Sequence, residues 1–193
     1  MKLIPYGRHF IDHKDVGSVT KVLKREVITS GSEVEKFESK LRNYFKSKFA
    51  TVCNSGTSAL YLAFLAINLK KNDKVVMPAI NFVASYNIVK TFGAKVFLAD
   101  VDKYTGQMSP ADVINCCKKY NLKKIKAILT MYHGGYPQNA EKFFSLKKKL
   151  KCFIIEDACH ALGAKYKYKN SLIKIGSCKH SDISTFSGGL SKR

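Results

Sequence analysis

Cys152-Phe153-Ile154-Ile155-Glu156-Asp157-Ala158-Cys159-His160 is the stretch from which the fold follows. Four apolar or half-apolar residues emerge from a lysine-rich segment and end abruptly in two carboxylates, with an imidazole three residues beyond the second. A run of this length, with small residues after it, fits a strand covered on both faces, as in a parallel sheet. In an open α/β sheet, ligands sit beyond the carboxyl ends of the strands, which is where Asp157 and His160 fall. The same residues admit a plainer reading, with Asp157 capping the next turn and His160 on the surface.

Moving outward from this strand, short apolar runs alternate with helical patterns. Residues 49–53, 74–77, 95–101, 125–132, 152–157 and 183–187 read as strands. Residues 57–69, 82–90 and 139–150 read as helices, and Ser109-Pro110 opens another as a cap residue followed by proline at the first helical position. This β-α-β-α rhythm predicts an α/β protein of three layers, a mainly parallel sheet between helices. Ahead of it, residues 1–14 read as an N-terminal arm. Val16, Val19, Val22 and Leu23 recur at helical spacing after Asp15, and Ser32-Glu33-Val34-Glu35 matches a capping box before the stripe Val34, Phe37, Leu41 and Tyr44. Residues 15–193 read as one undivided domain.

A chain of 193 residues with 46% hydrophobic content can bury a substantial core, and nothing in it suggests disorder. The longest apolar run, residues 59–69, is broken by Asn68 and is too short to cross a bilayer. The first ten residues lack the apolar centre of a secretory signal, so a cytoplasmic location is expected. The formal charge of +20 raises the possibility of a nucleic-acid partner. Of the 34 basic residues, however, only Arg8, Arg25, Arg42 and Arg193 are arginines, the type favoured for reading base edges and phosphates. A lysine-rich bias, or attraction of a small anionic substrate, accounts for the charge equally well. The six cysteines show no metal-ligand spacing and read as reduced, mostly core residues; no metal is expected.

Asn54-Ser55-Gly56-Thr57-Ser58 turns a strand into a helix through small and hydroxylated residues. Free N–H groups at such a helix start, aided by the helix dipole, make a phosphate cradle, although many such turns are simply capped helix ends. A phosphate cradle at one strand end and a carboxylate at another suit a ligand carrying both a phosphate and a basic nitrogen.

Together with Asn81-Phe82-Val83-Ala84-Ser85, Asp100-Val101-Asp102, the segment from Glu156 to Ala164, and Ser181-Asp182-Ile183-Ser184-Thr185-Phe186-Ser187, this turn resembles the DegT/StrS-type sugar aminotransferases. The resemblance implies the large domain of the aspartate-aminotransferase fold (fold type I), truncated so that the C-terminal small domain is absent. It implies pyridoxal 5'-phosphate as cofactor, a nucleotide-linked keto-sugar and an amino-acid donor, glutamate, as substrates, and a homodimer when full length. Ile4-Pro5-Tyr6-Gly7-Arg8 and Lys179-His180-Ser181-Asp182 most resemble the branch that aminates a UDP-linked 4-keto-hexosamine on the way to pseudaminic acid. The chain then matches the first half of such an enzyme, the alternatives being a non-catalytic truncated remnant or a basic nucleic-acid-binding protein.

The resemblance also assigns roles. Asp157 would pair with the pyridine nitrogen, His160 would sit near the phenolic oxygen, and Phe82 would lie against the ring face, a position equally readable as an ordinary core aromatic. Gly56, Thr57 and Ser187 would hold the phosphate. Lys192, separated from Phe186-Ser187 by four intervening residues, would be the catalytic lysine to which the cofactor is attached, although in so lysine-rich a chain the spacing also fits a chance match. Tyr6 and His133 fall where the family contacts substrate. His9, His13 and His180 read as surface residues.

Overall fold

The computed structural model describes residues 10–25, 27–29 and 31–188. They fall into two compact units, one comprising Cys53–Ser187 and the other the described residues before Cys53 together with Gly188.

In the first-named unit, β1 (Lys74–Pro78), β2 (Lys95–Ala99), β3 (Ala127–Met131), β4 (Phe153–Asp157) and β7 (Ile183–Thr185) form a sheet in the order β2-β1-β3-β4-β7. Every pairing in it is parallel. The connections run through α3 (Gly56–Ala66), α4 (Val83–Thr91), α5 (Pro110–Lys119) and α6 (Ala140–Leu150). This is the doubly covered α/β sheet that the strand–helix rhythm predicts.

Strand pleating sorts the core into two layers, because successive side chains point to opposite faces. Val75, Met77, Leu129 and Ile155 pack with Leu60, Phe64, Ile88 and Val89 of α3 and α4. Their neighbours Val76, Ile128 and Ile154 pack on the other side with Val113, Phe143 and Leu146 of α5 and α6. Parity therefore puts Asp157 on the face of α3 and Glu156 on the face of α6. Local chemistry sets the helix ends. Ser109 and Asp112 form the capping box of α5, with Pro110 in the first turn. Asn68 and Asn121 take positive φ just beyond α3 and α5, where the left-handed conformation closes a helix.

Three expectations are corrected. Residues 49–53 form no strand: the Val52 N–H is taken by the Glu38 carboxylate (2.9 Å), and no described strand pairs with the segment. Ser32 is the first residue of α2 (Ser32–Phe45) rather than its cap, a place held by Gly31 without a side-chain bond. The capping box lies one helix earlier, where Asp12 and Asp15 reciprocally cap α1 (His13–Leu23). The apolar stripe of α1 is there, but Val16, Val19 and Leu23 are exposed.

A hairpin of β5 (Lys165–Tyr168) and β6 (Ser171–Lys174) was absent from the sequence reading. Alternating lysine and tyrosine carries the period of a strand but little of its hydrophobic signal. The hairpin's Tyr166 explains the third correction, His180, which is buried rather than on the surface. Tyr166 Oη lies 2.6 Å from His180 Nδ1, and the imidazole is enclosed by the rings of Phe144, Tyr166 and Tyr168. Next to it, Asp182 accepts the Ile154 N–H (2.7 Å) and pairs with Lys147, tying the start of β7 to β4 and α6.

Burial holds the His180 pKa below its ordinary value, with Lys179 and Lys148 adding to the effect and Glu141 opposing it. A base whose folded pKa is lowered takes up its proton first in the unfolded chain, so its contribution is complete above pH about 6.5 and is lost as pH falls through that value. Denaturant titrations of the wild type and His180→Gln between pH 8 and pH 5, in steps of about half a unit, should show a fall in stability below about 6.5 that is shallower in the variant.

Candidate active site

Because all strands of the sheet are parallel, β1, β3, β4 and β7 deliver their carboxyl ends to one edge. At that edge Asp157 is only 2% exposed. Its Oδ1 accepts the backbone N–H of Cys159 (3.2 Å), and among the described residues it has no ion-pair partner. This local bond is the turn-capping role, and it uses one oxygen of the carboxylate. The other is left to serve a donor arriving from outside the chain.

The start of α3 comes to the same place. Gly56 is packed so tightly that an added Cβ would lie 3.0 Å from Ser187 Cβ and 3.2 Å from Cys159 Sγ. The strand-end turn after β4, the second residue after β7 and the first turn of α3 thus meet at one backbone position that only glycine fills without displacement. Ser55 caps α3 by accepting the Ser58 N–H (3.1 Å), and the Ser58 hydroxyl donates to Asn54 Oδ1 (2.6 Å). These two hydroxyls are committed to the turn. The N–H groups of Gly56 and Thr57 and the hydroxyls of Thr57 and Ser187 have no hydrogen-bond partner among the described residues. Orphan first-turn N–H groups beside uncommitted hydroxyls form the donor set a phosphate requires.

A second cluster borders Asp157. Gly134 and Gly135 both take positive φ in a tight 3-10 turn after β3, and a Cβ on Gly135 would collide with the carbonyl oxygen of His160. That close approach brings the rings of His133 and His160 to 5.9 Å. Gln107 holds the turn from the other side, donating through Nε2 to the carbonyl of Tyr136 (2.8 Å) and, at longer range, to that of His133 (3.4 Å).

Of the residues singled out in the sequence, Gly56, Thr57, Ser187 and Asp157 gather at this edge, with His133 and His160 beside one another. Phe82 precedes the first turn of α4 beyond the end of β1, and the residue is 64% exposed. It is therefore not a core aromatic, and its ring is available to a ligand. Lys192 and Tyr6 lie outside the described residues, as does His9. The sequence reading gave no role to Cys159, whose thiol closes the wall against Gly56, or to Gln107, which is separated from the turn it supports by more than twenty residues. No group of three or more His, Cys, Asp or Glu side chains suited to a metal is present among the described residues.

The model of the DegT/DnrJ/EryC1/StrS aminotransferase family matches residues 9–188. The chain belongs to this family. Among curated relatives, the UDP-4-amino-4,6-dideoxy-N-acetyl-beta-L-altrosamine transaminase of Campylobacter jejuni is 37% identical over 185 residues, covering 96% of this chain and 47% of its own. Among solved structures, PseC of Helicobacter pylori, an aminotransferase of pseudaminic acid biosynthesis, superposes with a TM-score of 0.83 at 27% identity, over 98% of this chain and 48% of its own. The PLP form of the sugar aminotransferase Spr1654 of Streptococcus pneumoniae gives 0.85 at 24% identity, over 98% and 50%, a likeness of fold. The chain spans about half the length of these relatives. Aminotransferases of the family depend on pyridoxal phosphate, and the residues present fit that group: a phosphate-type cradle at Gly56 and a buried carboxylate at Asp157 suit its two polar ends.

Gly56→Ala is expected to push Ser187 and Cys159 apart and to weaken binding of pyridoxal phosphate about tenfold or more, since a displacement of a few tenths of an ångström misaligns several donors at once. A spectrophotometric cofactor titration of wild type and variant checks this, and circular dichroism confirms that both are folded.

Proposed function

We propose that this chain supplies the cofactor-binding part of a pyridoxal-phosphate aminotransferase that aminates a nucleotide-linked keto-sugar. The observation that carries the proposal is the meeting of the α3 start with the ends of β4 and β7 at Gly56. It sets an anion cradle and a buried carboxylate at one sheet edge. Family membership supports the reading, the name of the Campylobacter jejuni relative favours a UDP-linked 4-keto-hexosamine as the sugar, and glutamate is the amino donor in this reading.

When bound, pyridoxal phosphate supplies the electron sink and the carbonyl through which an amino group passes from donor to acceptor. In this reading Gly56 and Thr57 donate their N–H groups to the phosphate, with the Thr57 and Ser187 hydroxyls alongside. Asp157 would accept a hydrogen bond from the protonated ring nitrogen and favour its keeping that proton. Buried and fixed by the Cys159 N–H, it acts without reorganising. The exposed Phe82 ring covers one ring face, and His160 hydrogen-bonds at the phenolic side with His133 next to it, toward the substrate. Lys192 would be the base that takes and returns a proton, a role suited to a primary amine. Tyr6 is assigned to the substrate. Many lysines on the surface favour approach of the doubly charged nucleotide part of such a substrate.

Incubation with pyridoxal phosphate, reduction with borohydride and peptide mapping should place the cofactor on Lys192. Finding it on another lysine, or on none, would contradict the assignment. Asp157→Ala should weaken cofactor binding by roughly 10- to 100-fold through loss of a charge-assisted hydrogen bond, with Asp157→Asn impaired as well because an amide does not stabilise the protonated nitrogen.

A further inference from the structure

Glu156 takes no part in the chemistry proposed above, although it directly precedes Asp157. It is 3% exposed. Parity along β4 turns it to the opposite face of the sheet, where its carboxyl group meets three hydroxyls. Tyr132 Oη donates to Oε1 (2.7 Å), Ser181 Oγ donates to Oε2 (2.9 Å), and Ser184 Oγ donates to the same Oε2. Tyr132 follows β3, Ser181 precedes β7 and Ser184 lies within it, so one side chain joins the ends of three neighbouring strands.

Among the described residues no cation pairs with Glu156. The ion pairs among the described residues are Arg25–Glu33, Lys36–Glu33 and Lys147–Asp182. An isolated buried charge is costly, so burial favours the protonated form of a carboxyl group in that position. Burial pushes the Glu156 pKa up, against the three hydroxyl bonds that pull it down. A protonated carboxyl has one donor of its own, which a rotated serine or tyrosine hydroxyl accepts.

What the network holds is on the site's side of the sheet. The Tyr132 N–H donates to the Asp157 carbonyl (3.3 Å), and the Tyr132 carbonyl accepts the Gly135 N–H (3.0 Å). Gly135 in turn abuts the His160 carbonyl. The chain of contacts runs from Glu156 through Tyr132 to the turn carrying His133 and on to the backbone of Asp157 and His160.

We propose that Glu156 is a positioning residue, an uncharged buried acid that locks Tyr132 and the ends of β3, β4 and β7 so that Asp157, His160 and His133 keep their places at the cofactor edge. The part concerning the cofactor rests on the function proposed above; the part concerning the turn does not.

The test compares Glu156→Gln, Glu156→Ala and Tyr132→Phe with the wild type in the full 193-residue chain. Hydrogen exchange of the Gly135 amide is followed in the cofactor-free protein, with the amides of Val75 to Met77 in β1 as a reference for global opening. Glu156→Gln, which keeps the shape and neutrality of the acid, should exchange as the wild type does. Glu156→Ala and Tyr132→Phe should exchange about tenfold faster at Gly135, the effect of losing one network bond of about 1.4 kcal/mol, with β1 unchanged. Should Glu156→Ala fail to fold, the glutamine and phenylalanine variants still decide. Glutamine behaving as alanine does, or failing to match the wild type, would show that a charge is needed and would overturn the proposal. So would an unchanged Gly135, or equal acceleration in β1. In a parallel titration with pyridoxal phosphate, Glu156→Gln should bind as the wild type does and Glu156→Ala about tenfold more weakly. If the wild type binds no cofactor, the proposed function falls, while the exchange data still judge Glu156.

Discussion

A carboxyl group buried at the end of an inner strand needs donors for its oxygens, and among the described residues Asp157 has one, the Cys159 N–H. The rest of the candidate site can be understood from that constraint. The parallel sheet fixes where the carboxylate emerges, since all strand ends share one edge. Parity along β4 turns it toward α3, whose first turn offers unpaired N–H groups. A ligand with an anionic end for the helix and a protonated nitrogen for the carboxylate satisfies both demands together, which neither end of the site achieves alone.

Support for this arrangement comes from close packing rather than from many polar contacts. A Cβ at Gly56 would press Ser187 and Cys159 back by a few tenths of an ångström, and Gly135 admits none against His160. These two glycines bring three elements near enough for their polar groups to act on one ligand. Behind them, Asp182 with Lys147 and Glu156 with its hydroxyls fasten β7 to β4. One ionic junction near the start of β7 and one hydroxyl-based junction close to the site thus hold the two strands together.

Much of this was legible in the sequence because each feature announced itself locally. The apolar run before Asp157, the small residues around Gly56 and the Ser109-Pro110 start of α5 each carry their signal within a few residues, and the strand–helix alternation gives the sheet its class. What escaped depends on partners distant in sequence. His180 reads as a surface residue until Tyr166 and Tyr168 close over it, and that hairpin is disguised by alternating lysines. Residues 49–53 have the composition of a strand, yet a ladder needs a partner, and the Glu38 carboxylate takes the Val52 N–H. Glu156 reads as one of a pair of acids; only the pleat shows that the two neighbours face opposite ways, one toward the proposed cofactor and the other into a nest of hydroxyls. Family membership adds the chemistry that suits this edge, while the chain covers about half of each relative it resembles.

The most direct measurement is a crystal structure of the chain soaked with pyridoxal phosphate. The account predicts phosphate oxygens within hydrogen-bond distance of the Gly56 and Thr57 N–H groups and the ring nitrogen within hydrogen-bond distance of the Asp157 carboxylate. Phosphate bound elsewhere, or a ring nitrogen turned away from Asp157, would contradict it.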